Sequence, residues 1–130
     1  NYRPHLWEDR ATAQKVIAAF WQRADIALPS VDDEMDVFGE TEAQVAQRFL
    51  AQAKSGALKR GARGPLSLGE PVVAQYEPVT NVLDTTAAGD SFNGGYLGAL
   101  LSGKGQAAAL QSGHVLAARV VQYRGAIIPK

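Results

Sequence analysis

The chain has 130 residues, 46% of them hydrophobic and 8% aromatic, enough for the core of one compact unit, with nothing pointing to two. Thirteen basic and thirteen acidic residues cancel, so there is no electrostatic footprint for nucleic acid or an anionic membrane surface. Cysteine is absent, no apolar run approaches the roughly 20 residues of a membrane span, and Asn1 to Trp7 carries no signal-peptide pattern. A soluble cytoplasmic protein without disulfides or thiolate metal sites is expected.

From Asp9 to Arg23 the apolar positions Ala13, Val16, Ile17, Phe20, Trp21 and Ala24 follow the spacing of an amphipathic helix. Asp25 to Leu28 reads as a short buried strand stopped by Pro29, and Ser30 to Asp36 as a polar stretch. Thr41 and Gln44 form a capping box that opens a helix with the stripe Val45, Phe49, Leu50 and Ala53, ending near Lys54. A strand over Ala57 to Lys59, a turn over Gly61 to Gly64 and a hairpin over Pro65 to Tyr76 about Gly69-Glu70 follow. Val79 to Leu83 is a further strand, and Ser91 to Leu101 and Gln106 to Tyr123 are helices, the second stopped at Gly125. Alternating strands and helices predict an α/β protein with a largely parallel sheet.

The chain opens on the polar motif Asn1-Tyr2-Arg3-Pro4 with no strand to position it, so a preceding segment is expected in the natural protein. The short link Ala53 to Leu58 leaves little room for both a loop and a strand; residues missing there and a tight loop are both open.

The stretch Asp84-Thr85-Thr86-Ala87-Ala88-Gly89-Asp90-Ser91-Phe92 carries the chemistry. Small residues between a strand and a helix let a phosphate approach the backbone, and a helix start supplies unpaired N–H groups and a positive dipole end. The dipole contributes only about 0.3–1 kcal/mol, so direct hydrogen bonds must supply most of the affinity. A carboxylate there would repel phosphate, which favours a proton-handling role for Asp90. The alternative is that Asp90 or Ser91 is a helix N-cap. Gly94, Gly95 and Gly98 weaken the helix by up to about 1 kcal/mol each, so close packing against the sheet is expected to hold its start rigid.

Asp84 to Asp90 resembles the C-terminal signature of the ribokinase-like (PfkB) carbohydrate kinases. The resemblance implies a layered ribokinase-like α/β sandwich, here only its C-terminal portion, with an N-terminal substrate and lid portion outside the chain. It implies ATP as co-substrate with Mg2+, an anion hole at Ala87, Ala88 and Gly89, and Asp90 as the base that takes the sugar hydroxyl proton. Many members have Gly where this chain has Ala87, which an N–H donor tolerates if the backbone angles suit an L-residue. Leu58-Lys59-Arg60-Gly61-Ala62-Arg63-Gly64 resembles the family's nucleotide loop, placing Lys59, Arg60, Gly61 and Gly64 at ATP, although a generic turn is the alternative there. His114 shares a stripe with Leu110, Ala117 and Val121, as a core histidine would; in the family the matching position borders adenine.

Asn1-Tyr2-Arg3-Pro4-His5-Leu6-Trp7 resembles an Asn-x-Arg motif whose Arg, here Arg3, contacts substrate or the phosphoryl group; a solvated loop charge is the alternative. Ser30 to Glu34 lies where the family orders the magnesium hydration shell, with Asp33 in the acidic position, though a solvated acidic helix start is equally open. Asp84 and Thr86 are implied at a monovalent cation such as K+. With Tyr123 to Pro129, these motifs resemble the 2-keto-3-deoxygluconate kinase branch, implying a sugar acid and ATP as ligands and phosphorylation at the C6 hydroxyl. A fructokinase or other sugar kinase of the family, a catalytically silent nucleotide-binding domain, and a homo-oligomeric state stay open.

Overall fold

A computed structural model describes residues 1–52 and 54–129. They fall into two compact units, where composition alone pointed to one. The first comprises Asn1–Arg60 with Leu66–Pro71, the second Gly61–Pro65 with the chain from Val72 onward. Composition counts apolar residues without revealing how they divide along the chain.

In the first unit, α1 (Arg10–Arg23) starts where Asp9 Oδ1 accepts the Thr12 N–H at 2.6 Å, a side-chain N-cap. It leads into β1 (Ile26–Ala27), then α2 (Val31–Phe38) and α3 (Glu42–Ala51), and so to β2 (Ser55–Leu58). The Thr41–Gln44 capping box forms as its spacing predicts. β1 pairs parallel with β2, Ile26 beside Ser55, and α2 and α3 supply the crossover that a parallel pair needs. β3 (Leu66–Leu68) pairs antiparallel on the other side of β2, so the three-stranded sheet has the order β1-β2-β3. Ala27, Val31, Val45, Phe49, Leu58 and Leu68 form the core.

Ser30 to Asp36, expected as a polar stretch, is instead largely the helix α2. Val31, Glu34 and Val37 are its buried positions, one turn apart. Glu34 disguises the apolar stripe. Its Oε1 accepts Trp21 Nε1–H at 2.9 Å, its Oε2 accepts from Arg48 at 2.8 Å, and Arg48 also bridges to Glu40. The Arg48 guanidinium lies 4.4 Å from the Phe38 ring centroid and 4.8 Å from that of Phe49. On α3, Leu50 is half exposed rather than buried, and Ala53 lies outside the described residues. Phe20 of α1 is likewise exposed.

In the second unit, α4 (Ala88–Leu101) and α5 (Gln106–Val120) pack along each other. The buried Tyr96 hydroxyl of α4 donates to Gln106 Oε1 of α5 at 2.6 Å. A Cβ at Gly95 would sit 2.6 Å from the Ser112 carbonyl oxygen and 3.0 Å from Gly113 Cα, so only glycine lets the helices approach this closely. Gly94 and Gly98 have no such neighbour within 4 Å. Within its own unit this glycine-rich helix packs on α5, and one of the three glycines is required for it.

Two further expectations fail. Pro65 to Tyr76 contributes β3 but no returning strand, and residues 71–79 have no regular structure. Val79 to Leu83 is not a strand; the Leu83 and Asp84 amides both donate to the Val121 carbonyl just after α5, at 2.8 and 3.2 Å. α4 also starts three residues before Ser91, and α5 stops at Val120 rather than Tyr123. No helix among the described residues is long and apolar enough to cross a membrane.

Candidate active site

The turn before α4 is built around Asp84. Its Oδ1 accepts the Thr86 N–H and its Oδ2 the Gly125 N–H, each at 2.8 Å, which ties the turn to the segment after α5. The Thr86 side chain, then the Gly125 and Thr86 amides, hold the Asp84 carboxyl down at about 2. Thr85 accepts the Ala88 N–H at 3.1 Å and Ala87 the Ser91 N–H at 2.9 Å.

Ala87 is the helix N-cap, at φ 60 and ψ 11. It is the single non-glycine residue with positive φ among the described residues. The left-handed region disfavours an L-residue by roughly 1–2 kcal/mol. The condition under which Ala could stand for Gly here, angles suited to an L-residue, is thus not met, and the surrounding hydrogen bonds hold Ala87 in place regardless. With no side-chain oxygen, Ala87 caps nothing. No acceptor within the described residues faces the amides of Ala87, Gly89 or Asp90, while that of Ala88 is spent in the turn.

Asp90 is the third residue of α4, exposed, with no hydrogen bond or ion pair to its carboxylate among the described residues. The capping alternative for Asp90 therefore fails: the cap position belongs to Ala87. A free carboxylate beside unsatisfied amides can accept a proton next to a bound anion.

In the same unit, Gly61–Arg63 forms a single 3-10 turn closed by the Gly64 N–H on the Gly61 carbonyl at 3.1 Å. Gly61 and Gly64 have φ of 58 and 74, angles that L side chains rarely adopt. Tyr76 packs on Gly64, and its ring centroid lies 5.0 Å from that of His114, tilted by 51°. His114, half-buried on α5, donates from Nε2 to the Glu77 carbonyl at 3.0 Å. The turn, Tyr76 and His114 thus form one chain of contacts. Tyr76 was not singled out from the sequence, where the only signal is one aromatic in a polar segment.

In the first unit, Lys59 extends β2 toward α2. Its N–H donates to the Pro29 carbonyl and its carbonyl accepts from Val31 N–H, both at 2.9 Å. Arg60 pairs with Glu42 of α3 at 3.4 Å. Ser30 is the N-cap of α2, and half-buried Asp33 sits in its first turn beside exposed Asp32. Glu34, next along, is committed to Arg48 and Trp21, and burial pushes its carboxyl up. Arg3 is exposed, outside any ion pair among the described residues, and leads into a 3-10 turn at Pro4–Leu6. No cluster of three or more His, Asp or Glu among the described residues could hold a metal by itself.

The family model described as pfkB family carbohydrate kinase matches residues 1–130. The chain belongs to the pfkB carbohydrate kinases. This pfkB family chain is 42% identical to the 2-dehydro-3-deoxygluconokinase of Escherichia coli K12 over 137 residues, covering 100% of this chain and 44% of that protein. It thus spans less than half the length of such relatives. Among solved structures, a PfkB protein from Polaromonas sp. JS666 is similar at 32% identity and TM-score 0.74, over 94% of this chain and 40% of that one. Aminoimidazole riboside kinase from Salmonella enterica, solved with aminoimidazole riboside and an ATP analog, matches at 27% identity and TM-score 0.79, over 97% of this chain and 45% of that one. The mixed α/β architecture is part of a ribokinase-like fold.

Proposed function

We propose that the chain is the nucleotide-binding and catalytic portion of a kinase that transfers the γ-phosphoryl group of ATP to the C6 hydroxyl of 2-dehydro-3-deoxygluconate (2-keto-3-deoxygluconate). The observation that carries the catalytic reading is Asp90, an unpartnered carboxylate on the first turn of α4 beside amides with no internal acceptor. The sugar assignment is supported by the 42% identity to a 2-dehydro-3-deoxygluconokinase across the whole chain.

Asp90 accepts the proton of the C6 hydroxyl as that oxygen attacks the γ-phosphorus. The new O–P bond forms while the bond from the γ-phosphorus to the β,γ-bridging oxygen breaks, and ADP leaves. The amides of Ala87, Gly89 and Asp90 face the charge on the transferring group, and their fixed orientation removes a reorganisation cost at the moment of reaction. Ala88 shapes the turn through its bond to Thr85. Gly61 and Gly64 let backbone approach the ATP phosphates, with His114 beside the adenine; Lys59 and Arg60, which precede that loop in the sequence, supply cations for the phosphates. For Arg60 this requires exchanging its pairing with Glu42 for phosphate. Arg3 supplies a planar cation for the sugar carboxylate or the phosphoryl group.

Asp33, half-buried in the first turn of α2, is the carboxylate that would hold a magnesium ion through water, since Mg2+ binds by one or two carboxylates together with substrate phosphates. Magnesium there would neutralise phosphate charge. Asp84 fits a clamp, and each of its oxygens keeps lone-pair capacity, with the Thr86 carbonyl nearby in sequence, for a monovalent cation.

The test is phosphorylation by the full kinase chain with ATP and, in parallel, 2-dehydro-3-deoxygluconate, fructose or ribose. The highest kcat/KM is expected for the sugar acid, with a 6-phosphate product. Preference for fructose would overturn the sugar assignment alone, and nucleotide binding with no turnover on any of the three would overturn the kinase reading.

A further inference from the structure

We propose that Tyr76 is a positioning residue for the nucleotide, a latch that fixes the Gly61–Gly64 turn against α5; this rests on reading that turn as an ATP-binding element. Residues 71–79 have no regular structure and the neighbouring Val73 is fully exposed, yet Tyr76 is half-buried. Its ring lies so close to Gly64 that a Cβ there would meet Tyr76 Cδ2 at 2.5 Å and Cγ at 2.8 Å. Its other neighbour is the His114 imidazole, 5.0 Å away between centroids. The adjacent Glu77 accepts the His114 Nε2–H at 3.0 Å. Two consecutive residues therefore hold one imidazole of α5, and the first of them also covers the glycine that ends the turn.

A turn with glycine at both ends has much conformational freedom to lose when it closes on phosphates, and whatever orders it beforehand lowers the cost of binding. Tyr76 does this through its contacts with Gly64 and His114. Its removal should therefore weaken nucleotide binding while leaving the chemical step alone. Gly64 is constrained twice, by its φ of 74 and by the ring that occupies the space of a side chain.

The experiment measures ADP affinity by calorimetry, together with kcat and KM for ATP and for the sugar acid, on the full kinase chain as wild type, Tyr76→Ala and Tyr76→Phe. Tyr76→Ala is expected to weaken ADP binding and raise KM for ATP by about 2- to 12-fold, the equivalent of one aromatic pair. Its kcat and sugar KM should stay within about twofold of wild type, and Tyr76→Phe should restore nucleotide affinity. Should the Ala variant not fold, Tyr76→Leu carries the same test, since it fills space without an aromatic face. Unchanged ADP affinity, or a fall in kcat with KM for ATP unmoved, overturns the latch while wild-type turnover leaves the kinase reading standing. A wild type that binds ADP but phosphorylates no sugar overturns the kinase reading and leaves the latch to be decided by ADP affinity; one that binds no ADP overturns both.

Discussion

Replacing Gly95 by Ala should destabilise the chain, although Ala is the better helix former by about 1 kcal/mol. The new Cβ would lie 2.6 Å from the Ser112 carbonyl oxygen and 3.0 Å from Gly113 Cα, both backbone atoms that no rotamer change can move aside. To restore ordinary contact, α4 and α5 must part by something under about 1 Å, and a gap of that size forfeits a quarter to a half of the dispersion energy across the interface. The loss falls on Phe92, Tyr96, Ala109 and Leu110, all buried. Overpacking of this kind costs about 1–3 kcal/mol, which outweighs the propensity gain. Urea unfolding of Gly95→Ala should show a lower midpoint at unchanged slope. Gly94→Ala and Gly98→Ala, with open space at the Cβ position, should instead gain up to about 1 kcal/mol. If Gly95→Ala proved as stable as Gly94→Ala, the close crossing of α4 and α5 would be wrong.

Ala87→Gly should raise thermal stability, by about 0.5–1 kcal/mol, because the left-handed N-cap no longer carries a Cβ while glycine's extra unfolded-state freedom offsets part of the gain; an unchanged or lower melting temperature would contradict that backbone geometry. Asp84 has its folded pKa depressed to about 2 from 3.8, so its contribution is present above about 4 and lost as pH falls through about 2. In Asp84→Asn the acid-side fall in stability, read from melting temperature across that window, should be shallower than in wild type. Arg48→Met should cost about 3 kcal/mol at neutral pH by leaving the buried Glu34 charge with Trp21 alone. Because burial raises the Glu34 pKa, the deficit should shrink in acid as Glu34 takes a proton, and a pH-independent deficit would argue against charge burial as its cause.

Local signals with a single meaning were legible in the sequence. Thr41 and Gln44 cap α3, Pro29 follows β1, and Asp84 to Asp90 forms a turn into a helix. What the sequence concealed depends on partners distant in the chain. Glu34 looks solvated until Arg48 and Trp21 are seen to enclose it, so α2 passed for a polar stretch. Val79 to Leu83 has the composition of a strand, but strand formation requires a neighbouring ladder, and Leu83 and Asp84 bond instead to the end of α5. At the candidate site the signature pointed to Asp90 and the amides of Ala87, Ala88 and Gly89, whereas the left-handed Ala87, the Ala88 amide spent on Thr85 and the Asp84–Gly125 bond are three-dimensional facts. Tyr76 belongs to no motif, and only its contacts to Gly64 and His114 distinguish it from its exposed neighbours.

The most direct test of the central claim is the turnover of Asp90→Asn in the full kinase chain. Asn keeps the size of the side chain and, since Asp90 neither caps α4 nor pairs with another residue among the described ones, should leave folding undisturbed. Without a base for the hydroxyl proton, kcat should fall by about 10²- to 10⁴-fold, with ATP affinity unchanged or slightly higher as a negative charge leaves the phosphate site. A variant with wild-type melting temperature and near-wild-type kcat would contradict Asp90 as the catalytic base.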